Sequence, residues 1–224
     1  MSGFLNRAEA GKALACELAD RGYTDPVILA LPRGGVPVGI EVARELRAPM
    51  DLVMVRKIGV PRQPELAAAA VVNGENPQIV INEAIAAKAR LSHDEIERLA
   101  QTQLDEIKRR REVYLKGRAS VPVEGRTVIV VDDGIATGAT MRASLKAVRK
   151  RKPAKLVLAV PVAAPDTLEA LRGEVDEIVC LLKPELLLGV GAHYADFSQT
   201  SDEEVIHLLD EADRLIRKNE DGQD

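Results

Sequence analysis

Residues 127–150 constrain the fold more than any other segment. Thr127-Val128-Ile129-Val130-Val131 is apolar on both faces of a strand, Asp132 to Gly138 is an acidic and then small-residue turn, and Ala139 to Lys150 carries helical periodicity. A strand with two apolar faces must be covered on both sides, which is the situation of parallel strands sandwiched between helices. Short apolar runs of the same kind recur at Val27–Leu31, Asp51–Arg56, Leu66–Val72, Lys155–Val160 and Glu177–Leu181. Helical patterns fill Arg7–Arg21, Val36–Arg47 and Pro165–Arg172 between them, the last opening on a proline suited to a first turn. The alternation predicts an α/β fold, a central and mostly parallel sheet flanked by helices. With aromatic residues at 2% and no tryptophan, its core must be built from Val, Leu, Ile and Ala.

Two further helices are signalled by caps. Ser92 with Glu95 forms a capping box ahead of Ile96, Leu99, Ala100, Leu104, Ile107 and Tyr114, within a helical segment from Ala84 to Lys116. Thr200/Glu203 and Ser201/Glu204 precede a C-terminal amphipathic run, and 219–224 reads as a frayed tail. No repeat or linker divides the 224 residues, so one domain is expected, with a core over about 22–182 and a small C-terminal hood and helix over about 183–218.

Charge and composition remove several classes. A net charge of -4 offers no overall basic field, so a nucleic-acid partner is disfavoured, and Lys108 to Arg111 read as a solvated helix face. No apolar run reaches membrane-spanning length and Met1 to Ala10 does not resemble a secretory signal, which points to the cytoplasm. Cys16 and Cys180 lack metal-ligand spacing and read as buried free thiols; His93, His193 and His207 form no ligand pattern.

The chemistry concentrates in the turn after Val131. Small residues let backbone N–H groups approach a phosphate, the N-terminus of the following helix adds positive potential, and Thr137 and Thr140 add hydroxyl donors. Asp132 and Asp133 would repel a bare phosphate, and make sense if they face sugar hydroxyls or a cation that accompanies the ligand. The turn has no Gly-Lys-Ser/Thr and no GxGxxG, which sets aside a nucleotide P-loop and a dinucleotide fold. A second turn, Leu31-Pro32-Arg33-Gly34-Gly35, also follows a strand and precedes a helix, so it belongs to the same sheet end.

Apolar residues followed by two acids and a Thr-Gly-x-Thr turn resemble the phosphoribosyl pyrophosphate signature of the type I phosphoribosyltransferase family. The resemblance implies that fold, and implies roles. Asp132 and Asp133 would bind the ribose hydroxyls, and Ala136, Thr137, Gly138, Ala139 and Thr140 would cradle the 5′-phosphate. Arg33, Gly34 and Gly35 would bind pyrophosphate. Arg56 and Lys57, at the head of a lid-like loop through Arg62, would act on the leaving group as catalytic residues, with Arg62 the weaker candidate. Glu65-Leu66-Ala67 resembles a bacterial branch of the family. In the hood, Tyr194 and Phe197 are candidates for stacking on an acceptor base, with Phe4 and Arg7 nearby. Mg2+ would arrive mainly with the phosphates and lie near Asp132 and Asp133. The implied reaction moves a phosphoribosyl group to a nitrogen nucleophile, and the alternative is a regulator that only senses phosphoribosyl pyrophosphate. The family also implies a homodimer.

Overall fold

The structure is a computed structural model that describes residues 3–61, 63–72 and 78–221. A five-stranded parallel sheet, in the order β2-β1-β6-β7-β8, contains β1 (Pro26–Ala30), β2 (Met50–Leu52), β6 (Thr127–Val131), β7 (Lys155–Val162) and β8 (Glu177–Leu182). The central strand β6 is buried at all five positions, as its two apolar faces require. Its side chains divide by alternation. Ile129 and Val131 enter a core with α1 (Arg7–Ala19), α2 (Gly35–Leu46) and α7 (Asp202–Asp221), through residues such as Leu14, Val38 and Leu209. Val128 and Val130 enter a second core, with Met141 and Leu145 of α5 (Ala139–Lys150) and Leu168 of α6 (Pro165–Leu171).

The run expected as one strand over Asp51–Arg56 is divided. β2 ends at Leu52, and β3 (Val55–Val60) leaves for a separate antiparallel sheet of order β3-β4-β5, with β4 (Gln63–Val72) and β5 (Gln78–Ile81). Val53 and Met54 at the bend are buried in different cores, so the apolar pattern runs on through the corner. Leu66–Val72 therefore lies in a hairpin and not in the parallel sheet, and β5 adds a strand that periodicity did not signal. One face of this small sheet packs through Ile58, Ala69 and Val71 with Ile96 and Ala100; the other packs through Ala70 and Val80 with Ala143 and Ala147 of α5.

The segment from Ala84 to Lys116 is two helices, α3 (Glu83–Ala89) and α4 (His93–Leu115), separated where Arg90 takes a left-handed conformation. The Ser92/Glu95 capping box forms in both directions. At α7 the working cap is Ser201, whose hydroxyl accepts from the Glu204 amide at 3.1 Å, while Thr200 is buried. Cys180 is half-buried as a free thiol, but Cys16 is exposed, because it lies on the solvent side of α1 between buried Leu14, Ala15 and Leu18. Among the described residues no helix is long and apolar enough to cross a membrane.

Candidate active site

The ends of β1 and β6 are tied together where Leu31 donates its amide to Val131 O at 2.9 Å. Parallel pairing thus sets the Arg33-Gly34-Gly35 turn beside the Asp132-Asp133 turn. The approach is so close that a Cβ on Gly34 would stand 2.0 Å from Asp133 Oδ2, and one on Gly35 2.8 Å from Val131 O. Side chains at either position would push the turns apart, which is the physical requirement for glycine in that turn. Both turns open helices without a side-chain cap: α2 begins after Gly34, and α5 after Gly138, which holds φ at 74°. At α2 the Gly35 and Val36 amides already donate to Leu31 O and Arg33 O at 2.9 and 3.1 Å, and Pro37 has none, so the first-turn amides available beside the two carboxylates are those of α5. Ala136, Thr137 and Ala139 are exposed and Thr140 half-exposed, so the second turn presents its surface outward.

The carboxylates are strongly perturbed. Burial and the neighbouring Asp133 charge raise Asp132 well above the usual range, although its Oδ1 accepts from the Asp133 amide at 2.9 Å. Burial likewise raises Asp133, against the pull of Arg7, whose Nε lies 2.8 Å from Asp133 Oδ2. Among the described residues, no group of three or more His, Cys, Asp or Glu is placed to hold a metal.

The hood is built by two distant segments. Phe4 bridges to Tyr194, the Phe4 amide donates to His193 O at 2.8 Å, and the Ala195 and Asp196 amides donate to Phe4 O and Leu5 O at 2.8 Å. This lacing delivers Arg7 to the acids; its guanidinium also donates to Ser198 O at 2.7 Å and lies 3.9 Å from the Phe197 ring centre. Tyr194 is corrected as a stacking residue. It is 7% exposed, its ring packs between Phe4 and Phe197, and its hydroxyl donates to Asp133 O at 2.5 Å. Phe197 is 37% exposed, with Arg7 over its ring.

The basic candidates diverge. Arg33 reaches Asp202 at 3.4 Å, where Tyr114 also donates to Asp202 at 2.7 Å. Arg56 and Lys57 are adjacent on a strand, so they point to opposite faces. Arg56 pairs with Glu106 of α4 at 2.9 Å, a carboxyl held down at about 2 by Arg109 and Arg110. Lys57 instead lines a cleft with Thr137, Gly138 and Ala139. A joint action of both on one leaving group is therefore not what this arrangement offers. Arg62 lies outside the described residues. Periodicity did not bring forward Arg142 and Lys146, which line the same cleft, although their spacing of one helical turn after Gly138 is a readable signal.

The chain, a parallel sheet with an acid pair and a small-residue turn at its carboxyl end, belongs to the family described as the phosphoribosyl transferase domain, whose model matches residues 5–185. A Mycobacterium tuberculosis protein of strain H37Rv, called a phosphoribosyl transferase by name alone, is 44% identical over 214 residues. That alignment covers 96% of this chain but 48% of the relative, so the chain spans about half the length of the curated protein it matches. The crystal structure of TT1426 from Thermus thermophilus is 42% identical, covering 93% of this chain and 98% of that one, with a TM-score of 0.82.

Proposed function

We propose that the protein binds phosphoribosyl pyrophosphate and transfers its 5-phosphoribosyl group to a nitrogen nucleophile such as a nucleobase, releasing pyrophosphate. One observation carries the reading: the uncapped start of α5 lies beside a half-buried acid pair at a single sheet edge. Phosphates need the amides, ribose hydroxyls need carboxylate acceptors, and few ligands ask for both within one sugar's length. Thr137, Gly138, Ala139 and Thr140 would take the 5′-phosphate, Asp132 and Asp133 the ribose hydroxyls, and the Arg33-Gly34-Gly35 turn the pyrophosphate. Displacement at C1 passes through oxocarbenium character, so the carboxylates also favour the cationic sugar electrostatically. No covalent residue is needed, and catalysis rests on positioning.

The acids also fit a divalent cation. Two carboxylates whose burial already disfavours their charge, with Arg7 as their nearest counter-ion, gain from a cation brought by the ligand's phosphates. Mg2+ bound there would supply neutralisation of the departing pyrophosphate, and Asp132 and Asp133 are the residues that would face it.

Calorimetric titration with phosphoribosyl pyrophosphate, with and without Mg2+, tests the assignment. Asp133→Asn and Thr137→Val should each weaken binding about tenfold, about 1.4 kcal/mol, by removing a charged acceptor or a phosphate donor. Unchanged affinity in both folded variants would sink it. A pyrophosphate-release screen across nucleobases in the same samples then separates transfer, where one base triggers release, from a sensor that binds without release.

A further inference from the structure

The cleft that takes Lys57 lies behind the phosphate turn, and the reading above does not use its far wall. It holds about 450 Å³, several times the room a single phosphate needs. One wall is the small antiparallel sheet, with Lys57 from β3; the other is the outer face of α5, with Arg142 and Lys146; Asn82 and Glu83 close one end. Asp132, Asp133 and Arg33 do not line it. Three cations from two elements thus face one carboxylate across a concave surface.

Two of the three cations, those of α5, are tethered by residues outside the cleft. Arg142 donates to Ala170 O at 2.7 Å, and Lys146 Nζ lies 3.6 Å from Glu174. Neither Ala170 nor Glu174 lines the cleft, so a ligand there recruits Arg142 from a carbonyl and Lys146 from an ion pair at the cleft's rim, restricting two side chains that are already partly ordered. The floor is Thr137-Gly138-Ala139, the turn whose amides start α5 without a side-chain cap. Among the described residues no aromatic side chain lines the cleft, so they offer no stacking platform for a base.

We propose that this cleft is a second site, for a small polyanion with linked phosphates, and that its ligand acts as an effector of the neighbouring transfer site. Direct coupling follows from the shared turn, and this part rests on the phosphoribosyl pyrophosphate reading. Two anions drawing on the same helix start repel each other and compete for its positive potential, so each weakens the other, by the same factor in both directions.

Inorganic tripolyphosphate is a suitable probe, titrated into the wild type, Arg142→Gln/Lys146→Gln, Lys146→Gln and Arg33→Gln. The proposal expects a binding event that survives Arg33→Gln, weakens at least threefold in Lys146→Gln and disappears in the double variant, with each variant's fold checked by circular dichroism. Saturating tripolyphosphate should weaken phosphoribosyl pyrophosphate at least threefold in the wild type and leave it unchanged in the double variant. Absence of tripolyphosphate binding, or binding lost in Arg33→Gln and kept in the double variant, would overturn the site. Binding at the cleft with no shift in phosphoribosyl pyrophosphate affinity would overturn the effector role. A chain that binds tripolyphosphate through Arg142 and Lys146 but never binds phosphoribosyl pyrophosphate would keep the cleft site and remove the transfer reading instead.

Discussion

Asp132 shows what a carboxyl kept from water costs the fold that carries it. Its carboxyl is raised above the ordinary range by burial first and by Asp133 second. A group raised in the folded state gives its full stability below the unfolded pKa, about 3.9 for aspartate, and that contribution is lost as pH rises toward the folded value. At pH 7 that contribution is reduced, so Asp132→Asn, which has no carboxyl to ionise, should raise Tm by a few degrees. The gain should shrink as pH falls below about 4, where both forms are neutral. Differential scanning calorimetry across that range checks it; equal Tm for variant and wild type at pH 7 would mean that Arg7 compensates the pair fully. The strand, turn and helix around the two acids were legible in the sequence, because the apolar run, the acids and the small residues are neighbours in the chain. The Arg7–Asp133 pair was not, since its partners are 126 positions apart and the hood resemblance that brought Arg7 forward named no partner for it.

At the scale of elements, caps were more informative than apolar runs. The Ser92 box was readable because it depends on residues three apart, and the helix begins where that spacing says. Ser92→Ala should cost about 1 kcal/mol and lower Tm by about 2–4 °C, measured by thermal melting. A change under about 1 °C would show that α4 is held by its packing through Ile96, Ala100 and Ile107 and not by its cap. The corner between β2 and β3 was hidden for a physical reason. Val53 and Met54 are both buried, one in each core, so hydrophobicity alone does not show the chain passing from one sheet to another. The consequence for function is direct: the strand that carries Arg56 and Lys57 belongs to the small sheet and divides them between α4 and the cleft.

For the molecule as a whole, the five-stranded sheet and its flanking helices were legible from alternation, because parallel strands bury both faces and leave a continuous apolar signature. A ligand that binds only the folded chain stabilises it by about 2.7 kcal/mol at a hundred times its Kd, so phosphoribosyl pyrophosphate with Mg2+ should raise Tm by about 5–10 °C. Asp133→Asn, with its affinity about tenfold weaker, should show about half of that shift at the same ligand concentration in differential scanning fluorimetry. The hood's double origin bears on synthesis. A nascent chain that has emerged through Thr140 already owns both acids and the phosphate turn, but the strip from His193 to Ser198 that positions Arg7 over them is still to be made. Until then Arg7 lacks the strip that fixes it, so the Arg7–Asp133 pair is one of the last contacts of this edge to become possible as the chain is made.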